Sequence, residues 1–140
     1  MSRLRVGTLV AVLLIGGIAC ENTLAEPTES EPETATAVTE TFSNTVLKGG
    51  ATSRSFTTTA SGMITITLTS LSQEMALVGL ALGLSDEVTG TCSRTYSIVT
   101  QLYSARALST TADKGRYCVV VYDVGELTDS ATFTVVVTHF

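Results

Sequence analysis

The chain has 140 residues, no tryptophan and a single histidine, and only 15% of its residues are charged. A Ser-His-Asp triad would have to use His139, beside the chain end. Ends fray, whereas a catalytic base must be held in place. There is no G-x-S-x-G elbow, no H-E-x-x-H helix and no glycine-rich phosphate loop. Basic residues are also scarce: eight Lys and Arg face thirteen acids, for a net charge of −5. Phosphate binding needs clustered Lys and Arg, so no nucleic-acid partner is expected. No cofactor or metal site is expected, since two cysteines without a nearby histidine make a poor zinc site. Helix-favouring Glu, Lys and Gln are sparse in the C-terminal two-thirds while threonine is abundant. That balance leans all-β.

Met1 to Arg5 carries two arginines, and Val6 to Ala19 is almost wholly apolar or glycine. A basic start before an apolar run of this length predicts a secretory signal, too short to span a bilayer. Gly17-Ile18-Ala19-Cys20 resembles the lipobox of bacterial lipoproteins, which implies lipidation at Cys20. Two acyl chains there would anchor the protein stably. An ordinary signal cut after Ala25, with Thr23 and Ala25 as the small residues, is the other reading. Residues 1–20 are thus read as the signal. Residues 21–40 hold six glutamates, both prolines of the chain and no Lys or Arg. Such a stretch buries too little apolar surface to offset chain entropy, and it is expected to be a disordered tether.

Residues 41–140 are read as one folded domain. Most of the negative charge is on the tether, because the domain balances six basic against seven acidic residues. Short strands recur through it. Asn44–Leu47 and Ser53–Thr59 flank the hairpin-turn signal Lys48-Gly49-Gly50. In Met63–Thr69, Ile64, Ile66 and Leu68 alternate with threonines. Leu71–Leu84 is apolar enough for a helix, but Gly79 and Gly83 would each cost about 1 kcal/mol there. As a strand it places Val78, Leu80, Leu82 and Leu84 on one face. Cys92–Gln101 and Ala105–Thr110 are further strands. Gly115–Phe140 reads as a hairpin in which Val119 and Val121, then Phe133, Val135 and Val137, form apolar faces. Cys118, Val120 and Tyr122 lie on the opposite face of the first of these strands, which calls for a cover. About eight short strands with regular turn signals predict an all-β fold, an antiparallel β-sandwich.

The order Phe56-Thr57-Thr58-Thr59, Gly62, Ile64 to Leu68, then Gly115-Arg116-Tyr117-Cys118-Val119-Val120-Val121-Tyr122 and Phe133 to Val137 resembles the bacterial pre-peptidase C-terminal domain family. The resemblance runs from about Thr41 to His139. It implies a jelly-roll-like sandwich that accompanies exported proteins and is not itself catalytic. This chain differs in carrying a cysteine pair and no peptidase domain. Some relatives bind calcium through clustered acids; Asp86, Glu87 and Asp123 stand singly in turns, with no spacing that matches such a site.

With Cys20 lipidated or removed, Cys92 and Cys118 remain as a pair in an exported domain, and a disulfide is the expected state. Two buried thiols or a metal site are the rival readings. Tyr96, Tyr103 and Tyr122 are candidate ligand-contacting aromatics for a sugar or peptide groove, although strand tyrosines commonly pack across neighbours. Asp123 with Glu126 or Asp129 could pair as carboxylates or simply form a turn. The expected function is a non-catalytic exported module that binds or scaffolds a protein or polysaccharide at the cell envelope. The alternatives are a partner or inhibitor of an exported peptidase, a carbohydrate-binding module, and a small hydrolase built on His139 and the Asp123–Asp129 loop. Aromatics on one sheet face would favour carbohydrate binding, and a threonine-covered face would count against it.

Overall fold

The computed structural model describes residues 35–104 and 106–140. The signal stretch, Cys20 and nearly all of the tether lie outside the described residues. Eight strands form in order: β1 (Val38–Val46), β2 (Ala51–Thr58), β3 (Gly62–Leu71), β4 (Val78–Ser85), β5 (Cys92–Thr100), β6 (Leu108–Ala112), β7 (Gly115–Asp123) and β8 (Ala131–His139). They make two four-stranded antiparallel sheets, ordered β1-β8-β3-β6 and β2-β7-β4-β5. The chain therefore doubles back once, at the β4–β5 turn. Its two halves pair as β4 with β5, β3 with β6, β2 with β7 and β1 with β8. That long antiparallel ribbon is rolled into a jelly-roll sandwich.

Strand formation follows from the alternation. Ile64, Ile66 and Leu68 on β3 and Phe133, Val135 and Val137 on β8 face inward, against Val78, Leu80 and Leu82 on β4 and Val119 and Val121 on β7. Every one of these is buried. The outward positions of the first sheet carry hydroxyls almost throughout: Thr39, Thr41, Ser43 and Thr45 on β1, then Thr132, Thr134 and Thr138 on β8. Several bond to one another across strands, as Ser43 does to Thr134 at 2.8 Å. Threonine suits a pleated surface and keeps that face wet.

Two expectations about neighbours need correction. Gly115–Phe140 is not a hairpin: β7 pairs with β2 and β4, and β8 pairs with β1 and β3. Lys48-Gly49-Gly50 does not close a hairpin either, because β1 and β2 belong to different sheets. The physical reason is the same in both cases. Alternation tells which side chains face the core, but two half-buried strands can satisfy it side by side or stacked face to face. Here they stack, and both connections are corners between sheets. Of the sequential neighbours, only β4 and β5 pair directly. β1 also starts at Val38, so Val38-Thr39-Glu40, read as the end of the tether, is strand.

The predicted cover over Cys118 and Val120 is real, since both are buried on the outward face of the second sheet. Gly79, Ala81 and Gly83 lie beside them on β4, in register with Tyr122, Val120 and Cys118. A side chain at position 79 would overlap the ring of Tyr122, which lies over the glycine. A side chain at position 83 would collide with the carbonyl of Ser93. The start of β5 therefore folds across β4 at Gly83, where the β4–β5 register shifts. Strands on either side of a middle strand are normally about 9.5 Å apart. The fold-over brings the Cα atoms of Cys92 on β5 and Cys118 on β7 to 5.9 Å, and the two residues form a disulfide.

Candidate functional site

The three candidate tyrosines occupy three environments. Tyr122 lies on the outward face of the second sheet, under the Arg94 guanidinium at 4.8 Å from its ring centroid. Tyr103 sits in the β5–β6 connection and donates its hydroxyl to Glu74 Oε2 at 2.8 Å. That hydrogen bond to a carboxylate raises the phenol pKa, because ionisation would destroy the donor. Tyr96 faces inward on β5, paired with Leu82, and is half exposed at the sandwich edge. They do not line one groove. The first sheet's outward face, covered in threonine, offers no aromatic platform either, which counts against carbohydrate binding there.

Asp123 is consumed by turn geometry. Its Oδ2 accepts from the Gly49 amide at 2.7 Å, and Oδ1 accepts from the amides of Gly125, Glu126 and Leu127. One carboxylate thus ties the β1–β2 corner to the β7–β8 corner. These donors, Gly49 foremost, hold its pKa below the ordinary carboxylate value. Gly49 and Gly125 both adopt positive φ, which glycine reaches without strain. Asp86 caps its own turn in the same way, accepting from Thr89 and Val88, and its pKa is likewise lowered.

His139 is not frayed. It is a strand residue, 3% exposed, with Nε2 at 3.0 Å from Glu40 Oε1 and its ring 5.1 Å from that of Phe56. Among the described residues its ring bonds to Glu40 and the Phe140 carbonyl, and none of them holds a hydroxyl nucleophile against it. Among the described residues no three His, Cys, Asp or Glu side chains group as metal ligands. No described helix is long and apolar enough to cross a membrane.

Two clefts open where the sheets part. At the β5–β6 edge, a cleft of about 230 Å³ lies between Tyr96, Tyr117, Leu82, Leu84 and Ala112. At the β1–β2 edge, a cleft of about 180 Å³ has a floor of Val119, Val121, Phe133 and Val135 and walls of Phe42 and Arg54. The Arg54 guanidinium lies 5.5 Å from the Phe42 ring centroid. Sequence reasoning missed this second cleft. The available signal was parity: Arg54 falls on the same side of β2 as the buried Phe56 and Thr58. No protein-family model matches the chain, and no curated protein does.

Proposed function

We infer that the protein is a non-catalytic, exported β-sandwich that binds or scaffolds other molecules at the bacterial cell envelope. The observation that carries this reading is the Cys92–Cys118 disulfide. Such bonds persist in oxidising compartments, which agrees with the arginine-led apolar start of the sequence and its lipobox-like end at Cys20. Two side chains of the hydrolase alternative, His139 and Asp123, are otherwise engaged. His139 is buried against Phe56 and Glu40, and Asp123 accepts backbone amides at two corners. The two edge clefts offer concave surfaces to a partner, in keeping with a binding role.

The test is the intact mass of the mature protein from its host, before and after reduction with thiol alkylation. The expected result is a chain that starts at Cys20 with added acyl mass and carries one oxidised pair. A start near Glu26 without lipid would make it a freely secreted protein. Free thiols on Cys92 and Cys118, with the leader still attached, would overturn export. Co-purification of an exported peptidase from envelope extracts would identify the scaffolded partner as one of the class suggested by the pre-peptidase resemblance.

A further inference from the structure

Arg54 is misplaced for a structural residue. Its neighbours on the same side of β2, Phe56 and Thr58, are buried in the sandwich, yet position 54 carries a guanidinium at the mouth of a cleft. Among the described residues no carboxylate lies within ion-pair distance of it, and no acidic side chain lines the cleft. Its one close partner is the face of Phe42. Below the pair, the core residues Val119, Val121, Phe133 and Val135 close the bottom of the cleft, each no more than 5% exposed. Among the described residues both walls are edge strands, so beside the opening β1 and β2 each present a row of main-chain groups that no other described strand pairs.

We propose that the β1–β2 cleft binds an extended peptide segment in which an apolar side chain adjoins a carboxylate. The side chain packs against the half-buried Phe42 ring at the mouth of the cleft, above the closed valine and phenylalanine floor. The carboxylate takes the planar guanidinium of Arg54, a donor array that matches it in two hydrogen bonds. The peptide main chain runs along the free edge of β2, as in strand addition. Charge complementarity selects this occupant, because among the described residues the cleft carries one cation, no acidic side chain and the Phe42 ring beside it. The proposal rests on the binding-module reading and gives it a site and a ligand class.

The probe is N-acetyl-Ala-Ala-Phe, as the free acid and as the amide, titrated into the 15N-labelled full chain and followed by amide NMR shifts. Saturable shifts are expected along Thr41–Asn44 and Thr52–Arg54, with the acid binding about tenfold more tightly than the amide. Arg54→Gln should remove that difference while leaving the spectrum folded, and Arg54→Lys should restore part of it. Equal affinity for acid and amide, or no shift at millimolar peptide, overturns the proposal and leaves Arg54 as an inward charge that guards a strand edge. Failure of the broader reading looks different. Envelope partners that bind wild type and Arg54→Gln equally overturn the cleft assignment alone. Intact peptide discrimination with no envelope partner supports the cleft and removes the envelope role.

Discussion

Reducing the Cys92–Cys118 bond should cost about 3.5 kcal/mol of stability. The two residues are separated by 26 positions. Cross-linking a loop of that length removes about 12 cal/mol/K of entropy from the unfolded chain, or about 3.5 kcal/mol at 25 °C. For a domain of this size that corresponds to a fall in Tm on the order of 15 °C. Wild type with and without reductant is the cleanest pair, since no atom of the fully buried Cys118 is removed. Urea unfolding followed by circular dichroism gives both the free energy and its slope. The slope should rise on reduction, because the uncross-linked chain exposes more surface when it unfolds. The structure adds a local signature. Position 92 begins an edge strand held on one side only, by β4, so amide exchange should accelerate first at Cys92–Arg94. A loss below about 1 kcal/mol with an unchanged slope would refute the view that the bond acts through the unfolded chain.

Gly83→Ala should destabilise by about 2–3 kcal/mol and slow disulfide formation, because its methyl meets the Ser93 backbone rather than a movable side chain. Chemical denaturation and thiol titration during refolding check this; a loss under about 0.5 kcal/mol would refute the fold-over at Gly83. The lowered pKa of Asp123 means that its contribution is complete above the ordinary carboxylate pKa. It is lost as the pH falls through the folded value, so stability should drop on acidification below about pH 4. Asp123→Asn should flatten that acid limb, and an unchanged pH profile would count against the two-corner clamp. Leu80→Ala, at a fully buried position, should cost about 2–5 kcal/mol, whereas Thr134→Ala on the wet face should stay within about 1 kcal/mol in the same assay.

The sequence by itself determined the chemistry of each strand. Alternation at Ile64-Thr65-Ile66-Thr67-Leu68 and at Phe133-Thr134-Val135-Val136-Val137 states which side chains are buried, because a strand's side-chain period of two leaves no other reading. Turn chemistry at Gly49 and Gly125 and the pairing of two cysteines were equally legible, since each is a local or compositional property. Only the tertiary structure decided adjacency. The β1–β8 ladder joins Thr39 to Thr138, and nothing local in either strand names its partner. For that reason two sheet corners read as hairpins, and three tyrosines that look alike in the chain came to lie on different surfaces. Glycine 79 and glycine 83 show the same division. Their presence in an apolar strand was plain, but the need for them arises only where Tyr122 and the start of β5 close over their missing side chains. The β1–β2 cleft belongs to that second class. It exists because two edge strands of different sheets part around Phe42 and Arg54, and such a gap is a property of how layers stack rather than of any one strand.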